Sequence, residues 1–199
     1  MFNRSLRILF FSLFSLSVHA TNTCLQDETS LTKNTLTEQD WRYATDPHGS
    51  KALTKASLLS EGVIWVNFSR VPRLDVKNNS WVELIYDLPK GDLNGAETIQ
   101  LTYQSSRDLV VKLSQKEYGG KGDKSYAHYQ HILPKAKKWI SACINVADFN
   151  RPSWTPTNSK DLGIIKAHVS AVYLVPDLKD DEGGSAVIQV KSITLLPLK

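Results

Sequence analysis

Only two of the 199 residues are cysteine, Cys24 and Cys143, so the chain can close at most one disulfide of its own. Beyond residue 20 there is no long apolar run, and no stable membrane span is expected. Charge of one sign is not concentrated either. Lysines are scattered through the sequence, with one local cluster at Lys135, Lys137 and Lys138 that reads as a solvated turn. A nucleic-acid binder needs a dense basic footprint, so nucleic acid is not an expected partner. The sequence has no Gly-x-Ser-x-Gly elbow, no His-Glu-x-x-His helix and no P-loop, and after residue 63 no long amphipathic helix. These gaps exclude the common hydrolase, metalloprotease and nucleotide-binding designs.

What is present begins with a leader. Arg4 and Arg7 form a basic head, Ile8 to Leu16 an apolar core, and Val18-His19-Ala20 a small-x-small cleavage site. Residues 1–20 are expected to be a signal peptide. A lipoprotein signal needs a cysteine straight after a small-residue box, whereas Thr21-Asn22-Thr23 precedes Cys24. The expected location is therefore secreted or periplasmic. The whole chain carries 24 basic and 20 acidic side chains; without the two leader arginines the balance is 22 to 20. An even cysteine pair in an oxidising compartment predicts a Cys24–Cys143 disulfide worth about 3–5 kcal/mol. The alternative is one buried and one exposed thiol.

From residue 63 the pattern is strand after strand. Val63–Phe68, Trp81–Leu88, Thr98–Tyr103, Leu109–Leu113, Tyr126–Leu133, Trp139–Val146, Ile165–Val175 and Ala186–Leu196 are rich in β-branched and aromatic residues. Turn residues separate them, as in Asn78-Asn79-Ser80 and Asp180-Asp181-Glu182-Gly183-Gly184. Ile99, Leu101 and Tyr103 point one way while Thr98, Gln100 and Thr102 point the other, so that strand is dry on one face and wet on the other. The prediction is an all-β, two-sheet antiparallel jelly-roll sandwich over residues 40–199. Residues 21–39 should form an irregular lead-in. Trp41–Tyr43 and Leu53–Leu59 should add edge strands.

The ordered set Asp108–Leu113, Tyr126 to Leu133-Pro134, Trp139, Phe149, Pro152-Ser153-Trp154 and Ala186–Leu195 resembles the galactose-binding-domain-like sandwiches. Among them it is similar to bacterial carbohydrate-binding modules, over residues 40 to 196. The resemblance implies a non-catalytic jelly roll that binds a glycan on a sheet face or at loop ends. With no catalytic module in the chain, it implies a binder that is not an enzyme's appendage. Many relatives hold a structural calcium, but Gln189 and Lys191 stand on the last strand where an aspartate is often seen. No cofactor is expected. Asp177, Asp180, Asp181 and Glu182 offer the oxygen ligands calcium prefers, and equally form a solvated turn.

Sugars show apolar C–H faces ringed by hydroxyls, so their binders combine flat aromatic rings with short polar groups. One face of Tyr126–Leu133 carries Tyr126, His128, Gln130 and Ile132. If neighbouring strands contribute Lys112 and Asn145, these residues pave one ligand surface. Tyr118 and Trp154 are further platforms, Trp154 being pinned between Pro152 and Pro156 or else plugging the end of the core. Trp65, Trp81 and Trp139 are expected in core or edge packing. His128 and His131 sit at i and i+3 on a strand and face opposite ways, which argues against a shared metal ion. Glu83 and Asp87 share a strand face about 13 Å apart, too far for most glycosidase carboxylate pairs. No catalytic residue is assigned. A structural or protein-interaction domain of the envelope, docking a partner through the same face or edge, is the alternative function.

Overall fold

The computed structural model describes residues 36–115, 128–155, 157–158 and 163–197. Among these the chain forms eleven strands: β1 (Trp41–Thr45), β2 (Lys51–Leu53), β3 (Leu59–Ser60), β4 (Val63–Arg70), β5 (Val82–Asp87), β6 (Thr98–Ser105), β7 (Leu109–Gln115), β8 (Gln130–Leu133), β9 (Ala136–Asn145), β10 (Val169–Pro176) and β11 (Gly184–Leu196). They build two antiparallel sheets, ordered β1-β5-β10-β7-β8 and β2-β4-β11-β6-β9, with β3 beside β4 in the second. The fold is an all-β sandwich. The leader and Tyr118 and Tyr126 lie outside the described residues, as does Cys24.

Alternation builds the core. Ile99, Leu101 and Tyr103 of β6 are at most 1% exposed, while Thr98, Gln100 and Thr102 are only partly covered. Ile64, Val66 and Phe68 of β4, with Ile188 and Val190 of β11, complete that inner face. The opposing sheet supplies Leu84, Leu109, Val111, Leu113, Val172 and Leu174. Tyr103 buries its ring among them and donates its hydroxyl to the Pro134 carbonyl at 2.6 Å, so a polar tip is satisfied at the core's edge. Burial pushes its phenol pKa well up.

Local chemistry sets the turns. Leu59 pairs with Ile64 and Ser60 with Val63, leaving a two-residue loop of Glu61 and Gly62, both at positive φ (54° and 72°). That conformation matches the twist of the flanking strands. Asp46 is itself buried and accepts from the backbone N–H groups of His48 and Trp81, which locks the β1–β2 turn to the start of β5.

One strand boundary is corrected. The strand expected from Ile165 begins at Val169, because the backbone before it is used elsewhere. The Ile165 N–H donates to Gln115 Oε1 at 2.8 Å, and the Lys166 carbonyl accepts from Leu93 N–H at 2.9 Å; residues Lys166–His168 form a 3-10 turn. Of the tryptophans expected in core or edge packing, Trp81 stands just before β5 and Trp139 on β9, an edge strand of its sheet. They are 36% and 37% exposed, while Trp65 is half-buried.

Gly183 is where backbone conformation and packing both demand glycine. It sits at φ +63°, and a Cβ there would meet the Arg70 carbonyl oxygen at 2.4 Å and Pro72 N at 2.8 Å. Gly183→Ala should destabilise the fold by about 2 kcal/mol or more. Gly91→Ala, at φ +68° with nothing within 4 Å, should cost only about 1 kcal/mol. Urea unfolding of the two variants checks the difference; equal midpoints would contradict the packing argument.

Candidate functional site

The candidate site lies on the outer face of the five-stranded sheet. Register places Arg42 opposite Ile85, Ile85 opposite Tyr173, Tyr173 opposite Lys112, and Lys112 opposite Gln130. These five residues form one row across all five strands, about 19 Å from edge to edge at ordinary strand spacing. Each belongs to the outward set, because the residues beside it in sequence, such as Leu84, Leu174 and Val111, fill the core. A second row runs Asp87, Ala171, Ser114. On its other side lies an apolar strip of Val175, Val110 and Ile132.

Electrostatics knit the row together. Arg42 makes two hydrogen bonds to Asp87, from Nε at 2.7 Å and from its other arm at 3.1 Å. Asp87 thereby raises the guanidinium pKa still further above its usual value. Lys112 Nζ lies 3.7 Å from Glu83 Oε1. The Ser114 hydroxyl donates to the Tyr173 hydroxyl at 3.3 Å, and the His128 ring stands 6.0 Å from the Tyr173 ring, tilted by 31°. Ile85 in the row and Ala171 beside it are 1% exposed. The face therefore has an apolar floor under polar, mutually paired side chains, unlike an ordinary wet sheet face.

Glu83 reports how dry this region is. Burial pushes its carboxyl pKa up, and the opposing attraction of Lys112 and His128 does not cancel the shift. Neither Glu83 nor Asp87 faces the other as an acid–base pair; each is committed to a different cation. This arrangement can bind hydroxyl-rich ligands through rings, carboxylates, an ammonium and an amide.

Of the expected site residues, Lys112, His128 and Gln130 come together here. Asn145 does not. After β8 the chain turns at Pro134 and crosses to the other sheet, where Asn145 pairs with Thr98. Trp154 is 54% exposed, so it plugs nothing; Pro152 and Thr155 are the buried members of its loop. That loop leaves Asn150, which bonds both ways with Gln130 at the sheet's edge. His131 packs toward Phe149, away from His128. In the acidic loop, Asp180 pairs with Arg70 and Arg73, and Glu182 with Lys179. Among the described residues no three His, Cys, Asp or Glu side chains are gathered to hold a metal ion, and no helix is long and apolar enough to cross a membrane.

Tyr173, Arg42 and Ser114 escaped sequence reasoning. The signal for Tyr173 was its position as the one ring in the apolar run Val172 to Val175, at an outward phase set by Val172 and Leu174.

No family model matches the sequence, and no curated protein matches it. Solved structures do. A family 11 carbohydrate-binding module from Clostridium thermocellum, solved with a β-1,3-1,4-mixed-linked tetrasaccharide, superposes with a TM-score of 0.61 at 17% identity, over 84% of this chain and 95% of that one. The fold is that of carbohydrate-binding modules. A second structure, the family 11 module of a cellulosomal cellulase of the same organism, gives a TM-score of 0.59 at 17% identity, over 80% of this chain and 88% of its own.

The dryness of the row is measurable. A raised Glu83 pKa means that the stability linked to its proton is fully present below the ordinary glutamate range and is lost as pH rises through the folded value. Carboxyl-carbon NMR should show Glu83 titrating above the usual value of about 4.3. Lys112→Met should move the midpoint higher still. A midpoint at or below the ordinary value would show the site to be solvated.

Proposed function

We propose that this is an exported, non-catalytic carbohydrate-binding protein that holds a neutral polysaccharide along the Arg42–Ile85–Tyr173–Lys112–Gln130 row. The observation that carries the reading is the row itself: one ring, paired charges and an amide aligned across five strands over a dry floor. The fold shared with carbohydrate-binding modules supports it. Charge supports neutrality of the ligand. Arg42 is matched by Asp87 and Lys112 by Glu83, so a charged sugar meets no net attraction there.

In this reading Tyr173 stacks on a sugar face while Lys112, Asp87 and Gln130 bond hydroxyls. Trp154 adds an exposed ring in the loop that follows Asn150, the residue that meets Gln130 at the end of the row. Residues 1–20 act as the export signal. Cys24 pairs with Cys143, which lies half-buried on β9 and is not a free thiol.

A glycan array that includes a soluble β-1,3-1,4-mixed-linked glucan should return at least one neutral polysaccharide. Tyr173→Ala should then weaken its binding at least tenfold, about 1.4 kcal/mol, with unfolding unchanged. An empty array together with one protein partner recovered by affinity purification would overturn the reading in favour of an interaction domain. Non-reducing peptide mass mapping of the exported protein should show a Cys24–Cys143 cross-link and a chain beginning at Thr21.

A further inference from the structure

The outer face of the other sheet is built on a different charge plan. The strands of the six-stranded sheet contain no aspartate or glutamate at all, yet they hold Lys51, Arg70, Lys137, Lys138 and Lys191. Arg70 is occupied: it is 9% exposed, donates to the Leu178 and Lys179 carbonyls and meets Asp180 at 3.3 Å. The four lysines are exposed, and none forms a salt bridge among the described residues. Lys51, the adjacent pair Lys137 and Lys138, and Lys191 are far apart in sequence and are gathered by strand order, from β2 at one edge through β11 to β9 at the other. Lys191 reaches the surface because the β11–β6 register shifts between Val190 and Ser192, making it the extra residue of a bulge.

Between the lysines the face is paved with hydroxyl and amide groups. Thr102 and Ser141 hydroxyls meet at 2.8 Å, Thr98 donates to Asn145 at 3.1 Å, and Gln189 donates to Gln104 at 3.0 Å. Trp65 pairs with Gln189 in the register, and Trp139 stands exposed near Lys137 and Lys138. A cavity of about 210 Å³ opens here, lined by Gln104, Ser106, Lys137 and Gln189 among others. Its only charged lining residue is Lys137.

We propose that this face is a second binding site, for an acidic polysaccharide whose carboxylates lie on Lys51, Lys137 and Lys191. Amide and hydroxyl rows suit sugar hydroxyls, and the tryptophans suit sugar faces. Nucleic acid would favour arginine forks on phosphate, and Arg70, the one arginine of these strands, is already occupied. A membrane would favour a continuous apolar face between the cations, whereas the exposed apolar side chains of these strands, Leu53 and Trp139, stand apart on the two outermost strands. Among the described residues the four lysines here have no salt-bridge partner, whereas on the five-stranded face Arg42 and Lys112 each have one, so the two faces select ligands of different charge.

The test uses polygalacturonate, dextran, vesicles of an anionic phospholipid and a duplex DNA oligonucleotide as probes. At about 0.01 M salt the protein should bind polygalacturonate and not dextran. The affinity should fall at least tenfold by about 0.1 M, as the screening length shortens from about 30 to about 10 Å. The triple variant Lys51→Gln, Lys137→Gln, Lys191→Gln should lose at least tenfold in affinity while unfolding at the same urea midpoint. Trp139→Ala should weaken binding as well, and Tyr173→Ala on the other face should leave it unchanged. Triple-variant binding within twofold of the original would overturn the proposal. Loss of polygalacturonate binding in Tyr173→Ala alone would assign the ligand to the first face. Tighter binding to vesicles or DNA than to polygalacturonate would overturn it in favour of those ligands.

Discussion

Everything on the five-stranded face depends on the register of β10 between β5 and β7. That strand is inserted late in the chain, and its two ladders decide that Tyr173 stands level with Ile85 on one side and Lys112 on the other. Period-two geometry makes the alternative severe. A slip of one residue would turn Tyr173 inward and bring Val172 and Leu174 out of the core, losing roughly 1.5–3 kcal/mol for each buried aliphatic side chain. Hydrophobic burial thus enforces the alignment of the polar row without any of the polar residues having to stabilise it. The site is placed by the reverse side of its own strands.

The polar contacts on that face contribute little to stability. Arg42 and Asp87 are each about half exposed, and such pairs are worth about 0–1 kcal/mol. Lys112 and Glu83 are more covered, and there the cost of removing charge from water offsets the attraction. Their consequence is orientation. Held in pairs, the long side chains lose rotamer freedom before a ligand arrives, which lowers the entropic cost of binding. The opposite sheet makes the contrary choice: its four exposed lysines have no salt-bridge partner among the described residues. A chain that is almost balanced overall therefore has one face of compensated charge and one of uncompensated charge.

The sandwich was legible because its signal is local. β6 alternates so cleanly that its burial can be read residue by residue, and glycine and aspartate clusters mark the turns. Lys112, His128 and Gln130 were legible for the same reason: their outward phase follows from Val111, Leu113 and Leu133, and β7 and β8 are consecutive strands that pair. Asn145 was misplaced because phase alone does not say which sheet a strand joins. β9 also faces outward at Asn145, but on the other side of the molecule. Arg42 and Tyr173 were invisible as partners because 131 positions separate them in sequence, and only the insertion of β10 beside β5 makes them near neighbours. The second face was hidden still more thoroughly. Lys137 and Lys138 read as part of a solvated turn and Lys51 and Lys191 as isolated, until the strand order brought them onto one sheet.

The row begins and ends on edge strands. Arg42 belongs to β1 and Gln130 to β8, the outermost members of their sheet, and β8 is only four residues long with Asn150 closing its free side. Edge strands are the parts of a sheet that open first. A polymer lying along the row in the proposed mode would touch both margins and the middle at once, fastening the sheet like a strap across its width. Binding would then brace the two edge strands against opening.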